Sequence, residues 1–207
     1  MPAPNRVTPF GEIVALDQRG SFMGNRGCIH RAPYEIARPW QVRRWITCRL
    51  SYKDWVAPRW EPNRWTALFF WDEAVALAAG HRPCALCRRP DYEVWLAAWR
   101  TAFGTSSSAD AMDRRLHTDR LVGRTQRRHA RPWADVPPGA FVAVGDADTA
   151  ALVLRDRLVP WSPAGYGPPL DRPARGDATV LTPRATVEVL RAGYRPALHP
   201  TAGADGS

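Results

Sequence analysis

Lysine is nearly missing from this chain of 207 residues: 28 of its 29 basic residues are arginine, and Lys53 stands alone. The Gly-rich stretch 21–30 therefore contains no lysine. It also lacks the length and the Ser/Thr of a phosphate-binding P-loop, which argues against nucleoside-triphosphate chemistry. Cysteine is scarce too. Four cysteines, all within the first 87 residues, are too few for a disulfide scaffold and suit a metal site in a reducing compartment. No apolar run approaches the ~20 residues of a membrane helix, and the opening M-P-A-P-N-R lacks a signal peptide's apolar core. The expected location is the cytoplasm, with no membrane partner. Complete catalytic signatures are missing as well: H-E-x-x-H, G-x-S-x-G and the H-x-E of zinc deaminases do not occur.

What is present is a globular composition, 45% apolar and 10% aromatic, with charge distributed unevenly. Residues 1–133 carry 22 Lys or Arg against 12 Asp or Glu, a balance of +10, whereas residues 134–207 carry 7 against 8. The basic half is also the half with the cysteines. A polyanionic partner is expected there, because arginine contacts to phosphate release counterions and supply most nonspecific affinity. The alternative is compositional bias toward arginine.

The chain is organised around residues 69–90, F-F-W-D-E-A-V-A-L-A-A-G-H-R-P-C-A-L-C-R-R-P. The aromatic run suits a strand end, Asp72 caps a helix through Ala79, and Gly80 stops it. Pro83 then turns the chain into Cys84 and Cys87, a C-x-x-C pair that is half of a tetrahedral zinc site. Its rival is a redox pair, which normally heads a helix after a strand, whereas this pair follows a helix stop. Cys48 is the expected third ligand and His30 the fourth, with Cys28 as the substitute for His30. These are the nearest strong donors upstream.

This stretch resembles the N-terminal zinc-binding domain of the Ada DNA-alkylation response family, whose motif runs A-G-[FY]-R-P-C-x-x-C-R-P. The matching residues are Phe70, Ala74, Ala79, Gly80, Arg82, Pro83, Cys84, Cys87 and Arg88. His81 replaces the aromatic, and Pro90 comes one residue late. The resemblance covers roughly a tenth of the chain. It implies a unit that folds on zinc, binds DNA and offers one zinc-bound cysteine to a methylated backbone phosphate. The family's first pair, C-x-x-x-C, has no counterpart, since Cys28 and Cys48 lie twenty residues apart. The chain as a whole also looks like a group of bacterial proteins of unassigned function.

Around this motif, residues 40–52 alternate as a strand would, placing Cys48 with Ile46, Leu50 and Tyr52 on the apolar face. Arg and Trp interleave between Arg38 and Trp65, a pattern that serves either base stacking or core packing. Residues 91–103 predict a helix with a Trp-rich stripe, residues 104–110 a loop, and residues 111–122 a further helix. From residue 137 short strands predict a small sheet, and residues 165–176 a loop. Thr182 and Pro183 open a last helix that ends Ala192-Gly193-Tyr194-Arg195-Pro196, repeating Ala79-Gly80-His81-Arg82-Pro83.

The expected fold is α+β, a zinc-stabilised strand/helix region over 1–133 packed with a small antiparallel sheet in 134–207, as one cooperative unit. The expected function is zinc-stabilised binding of nucleic acid, DNA rather than RNA, with a link to DNA repair or modification. Arg43, Arg44, Arg88, Arg89, Arg127 and Arg128 are the candidate phosphate contacts. The alternatives are an enzyme using a zinc thiolate or an open zinc position on modified nucleic acid, and a protein-interaction module.

Overall fold

The computed structural model of the chain describes residues 2–58, 60–146 and 148–203, and its fold is α+β. The N-terminal half supplies β1 (Pro4–Val7), β2 (Ile13–Ala15), β3 (Phe22–Asn25), a small hairpin of β4 (His30–Ala32) and β5 (Glu35–Ile36), then β6 (Ile46–Cys48) and β7 (Leu68–Phe70). After β7 come α1 (Glu73–Ala78), β8 (Arg82–Pro83), α2 (Arg89–Phe103) and α3 (Ala109–Arg120). Six of these strands form one mixed sheet in the order β2-β1-β7-β3-β6-β8, in which β1 runs parallel to β7 and β6 parallel to β8.

A hairpin of β9 (Leu121–Val122) and β10 (Thr125–Gln126) leads into the second sheet. Its strands are β11 (His129–Pro132), β12 (Phe141–Val144), β13 (Thr149–Val153), β14 (Arg157–Ser162), β15 (Gly165–Tyr166), β16 (Leu170–Asp171) and β17 (Asp177–Val180), and α4 (Arg184–Arg191) follows. The order is β11-β17-β12-β13-β14-β15, with β16 also on β14. Two short strands thus occupy the segment 165–176 that the sequence reads as a loop.

This second sheet is covered on both faces. One face, with Val142, Ala151, Val153 and Val180, packs on Trp95 and Trp99 of α2 and on Val187 and Leu190 of α4. The opposite face, with Phe141, Ala143, Leu152 and Val159, packs on α1 and on Val7, Leu68 and Phe70 of the first sheet. Double burial explains why β12 reads F-V-A-V and β13 ends in A-L-V without polar alternation. Both cores draw residues from both halves of the chain. The basic and neutral halves are therefore one packed structure, not two units joined by a linker.

The helix ends follow local chemistry, with one exception. Asp72 Oδ1 accepts from Val75 N–H at 2.9 Å and caps α1. Gly80 takes φ +88° after it, and a Cβ there would meet Arg120 Cδ at 2.5 Å. Thr182 does not cap α4. Its hydroxyl accepts from Phe141 N–H, and Asp119 at the end of α3 serves the α4 N-terminus by accepting from Ala185 N–H at 2.8 Å.

The second A-G-x-R-P copy and the residues after it pack on the start of α1, the helix whose far end carries the first copy. Tyr194 donates its hydroxyl to Glu73 Oε1 at 2.6 Å, Ala197 N–H reaches Glu73 Oε2 at 2.9 Å, and His199 N–H reaches Asp72 Oδ2 at 3.0 Å. The second copy thus closes the chain over the helix of the first.

Candidate metal centre

Cys48 ends β6, and the C-x-x-C follows β8 directly, so the parallel pairing of these strands brings the three cysteines together. Cys84 N–H donates to Thr47 O at 2.9 Å and Arg82 N–H to Trp45 O at 3.1 Å, which fixes the register. The strand is held from its other side by β3, where Gly24 faces Thr47. A Cβ at Gly24 would lie 2.1 Å from Ile46 O, so only glycine allows β6 to approach this closely.

The sulfurs of Cys48, Cys84 and Cys87 lie within 4.8 Å of one another. All are free thiols, with Cys84 and Cys87 buried and Cys48 partly so. A Zn–S bond of about 2.3 Å places sulfurs roughly 3.8 Å apart around one ion, so the trio is within reach of a shared metal. Leu86 N–H donates to Cys84 Sγ at 3.4 Å. Hydrogen bonding from Cys48, then from Cys87 and the turn amides, pulls the Cys84 thiol down to about 2 against the opposing effect of burial. Cys48, donating toward Cys84, is pushed up in turn. The chemistry of this set favours a thiolate at Cys84, and a soft or borderline cation binding there would displace the protons of the other two thiols to solvent.

Cys87 is also two residues before α2, and Arg88 N–H closes the turn on Cys84 O at 3.2 Å. The pair therefore does head a helix after a strand, which corrects the sequence-based argument against a redox motif. What a bare redox pair lacks is the third sulfur, on the neighbouring strand.

The other expected ligands are elsewhere. His30 binds Thr66 Oγ1 through Nδ1 at 2.6 Å and Glu61 O through Nε2 at 3.1 Å, so both ring nitrogens are occupied by protein. Cys28 lies beside it, its sulfur 3.9 Å from His30 O. Neither joins the trio, and among the described residues no fourth His, Cys, Asp or Glu does.

The structure reverses the faces expected for the Cys48 strand. Trp45 and Thr47 are buried, while Leu50 is 51% exposed. The buried face is the polar-looking one because Arg120 of α3 covers Trp45 and Arg88, in the turn before α2, reaches Thr47.

The candidate phosphate contacts divide. Arg43 and Arg44 are exposed and share a groove with Arg114, Asp110 and Asp113. Arg89 is exposed but paired with Glu93 at 2.7 Å. Arg127 Nε is directed to Thr118 O at 3.2 Å, and the Arg128 guanidinium lies over the Phe10 ring at 5.1 Å. Arg88 is removed from the surface set: it is 2% exposed and holds Glu73 at 2.8 Å and Asp91 at 3.1 Å.

One feature escaped the sequence. A cavity of about 610 Å³ is lined by Tyr34, Leu50, Trp55, Val56 and Trp60, with Met23 and Phe69 at its floor. Met23 is the cross-strand partner of both Cys48 and Phe69, so this aromatic cleft shares a sheet face with Cys48. The tryptophan spacing carried a signal, but the backbone turns that assemble the cleft, with Lys53, Trp60 and Asn63 at positive φ, did not.

No helix among the described residues is long and apolar enough to cross a membrane. Comparisons with family models, with curated proteins and with solved structures found no match to this chain.

Proposed function

We propose that the chain is a zinc protein that engages nucleic acid, DNA in preference to RNA, with Cys48, Cys84 and Cys87 as the metal ligands. The observation that carries this reading is the convergence of three thiols from two separate segments on one point, where bound zinc would hold all three as thiolates and tie β6 to the start of α2. Support for the nucleic-acid part comes from the basic balance of residues 1–133, from the exposed Arg43 and Arg44, and from the aromatic cleft on the sheet face of Cys48. Metal analysis of the purified protein tests the first part, with one zinc per chain expected. Titration of oligonucleotides at several salt concentrations tests the second, with affinity falling steeply as salt rises. Zinc-free protein with full stability would sink the metal reading, and absence of binding at low salt the nucleic-acid one.

A second reading is favoured by the lack of a fourth protein donor among the described residues. A zinc with three thiolates leaves one position for water or substrate, and a zinc-bound thiolate is a nucleophile. Combined with the resemblance to the Ada zinc domain, this makes one of the three cysteines a methyl acceptor from an alkylated backbone phosphate. Mass spectrometry after incubation with methylated DNA tests it: a gain of one methyl on a cysteine supports the reading, and an unmodified protein rejects it.

A further inference from the structure

Among the described residues four arginine side chains are almost fully buried, and they are not alike. Arg82 is paired with Asp113 at 2.7 Å and Arg88 with Glu73 at 2.8 Å, each an arginine with a buried carboxylate. Arg26 and Arg120 are 2% and 1% exposed, and among the described residues neither has a carboxylate in contact. Arg26 donates to Gly11 O at 3.0 Å and approaches His81 Nε2 at 3.4 Å. Arg120 donates to Gly80 O at 2.9 Å and Arg43 O at 2.6 Å. Both guanidiniums lie on the same indole, that of Trp45, at 4.0 and 3.7 Å from its centroid. Two like charges are thus held close together, out of water, with carbonyls and rings as their partners. Burial pulls Arg26 down to about 9; burial, with the fields of Arg26 and Arg82 added, also lowers Arg120, against the partial opposing attraction of Asp113. Such an arrangement is costly unless an anion completes it.

The same two residues line a cavity of about 640 Å³. Three of its lining residues carry a buried donor with no acceptor: Arg26 Nη2, Arg120 Nε and Trp40 Nε1. Exposed Arg38, Arg124 and Arg128 also line it, and the only carboxylate among its lining residues is the exposed Glu12. Alternation along residues 45–48 points Trp45 away from Cys48, so the cavity lies behind the strand that carries the thiols and is a separate site.

We propose that this cavity binds a phosphomonoester group, carried by a mononucleotide or by the phosphorylated end of a nucleic-acid strand. Arg26, Arg38, Arg120 and Arg124 against one glutamate match a dianion, the guanidinium forks suit its oxygens, and the volume accommodates an attached nucleoside. The unpartnered Gln126 Oε1 on the wall is an acceptor for a hydroxyl or amino group of that nucleoside.

The test uses the full chain in buffer without phosphate or sulfate. Inorganic phosphate, pyrophosphate and adenosine 5′-monophosphate should each raise the melting temperature saturably, and adenosine should not. The exposed variants Arg38→Ala and Arg124→Ala, which leave the buried pair intact, should weaken adenosine 5′-monophosphate binding by roughly tenfold or more, the loss expected for a charge-assisted hydrogen bond. Arg26→Met should melt higher than the parent without ligand and lose the response to phosphate, because it removes an uncompensated buried charge. A structural arginine would give the opposite shift. Competition separates the two sources: displacement of adenosine 5′-monophosphate by a 5′-phosphorylated oligonucleotide but not by its 5′-hydroxyl counterpart identifies a strand end, and no displacement identifies the free nucleotide. No saturable shift with any of the three phosphates, or unchanged affinity in both mouth variants, overturns the proposal.

Discussion

Arg88 Nη1 stands 2.8 Å from Glu73 Oε1, and both side chains are excluded from water. The contact ties the residue after Cys87 to the first turn of α1, so the cysteine turn and the buried helix are locked together. Removing one partner leaves the other charge buried alone, which typically costs about 3–5 kcal/mol. Arg88→Met should therefore lower stability in urea by several kcal/mol and leave the salt dependence of nucleic-acid binding unchanged. A loss below about 1 kcal/mol would show that water reaches Glu73 and that the pair is not a lock.

Metal content should follow the trio and ignore the other two candidates. Cys48→Ser, Cys84→Ser and Cys87→Ser are each expected to abolish or sharply weaken zinc retention, whereas Cys28→Ser and His30→Ala should retain one zinc per chain. His30→Ala will still cost stability, since its ring bonds to Thr66 and to Glu61 O would be lost. Retention of zinc by Cys48→Ser, or its loss from His30→Ala, contradicts the assignment.

Gly24 controls the same site from a distance. The Cβ of Gly24→Ala would collide with Ile46 O, a backbone atom that can move only by pulling β6 away from β3. Since β6 carries Cys48, the variant should both destabilise the protein and loosen the metal, measurable as faster zinc loss to a chelator. Normal zinc retention with normal stability would mean that the strand shifts freely.

The helix stop at Gly80, the Asp72 cap and the C-x-x-C were visible because each depends on a few consecutive residues. Cys48 as third ligand was reached by proximity in sequence, although the faces of its strand were read backwards. Alternation could not reveal that Arg120 covers Trp45 and Arg88 reaches Thr47. His30 and Arg88 were misassigned for one reason: both had satisfied their hydrogen bonds or charge with partners 31 to 36 and 15 residues away, on elements whose packing no local pattern encodes. Arg26 and Arg120 are equally hidden, since arginine is this chain's commonest charge and only burial without a contacting carboxylate distinguishes those two from Arg82 and Arg88.

His81 provides a pH test. It is fully buried, and burial, together with the nearby Arg26 and Arg120, holds its imidazole well below the usual histidine range. The unfolded chain therefore takes up a proton near pH 6.5 that the folded chain refuses, and stability is lost as pH falls below that value, by up to about 1.4 kcal/mol per pH unit. In His81→Gln this component vanishes while the other buried groups remain. The stability advantage of the parent over the variant should hence shrink steadily from pH 6.5 to pH 5 in phosphate-free buffer. A constant difference across that range would show that His81 takes up its proton in the folded state as well.

Charge and stacking can be separated by mutating one residue of each kind. Trp55 is 41% exposed at the aromatic cleft and stacks on Trp65 at 5.3 Å, a platform whose face suits an unpaired base. Trp55→Ala should weaken single-strand binding by roughly 1–3 kcal/mol with little change in the slope of log affinity against log salt. Arg44 is exposed, and among its neighbours across the groove are Arg114 and the carboxylates Asp110 and Asp113. Loss of one phosphate contact in Arg44→Ala should reduce the slope by about 0.7 on a single strand. The order of the two effects is itself informative. If Arg44→Ala leaves the slope untouched while Trp55→Ala weakens binding, the partner is gripped through its bases at the cleft, and Asp110 already neutralises the groove beside Arg44, Asp113 being paired with Arg82. If neither variant changes binding, the cleft and the groove are both excluded as contact surfaces, and the nucleic-acid reading then has to rest on the remaining arginines of the basic half.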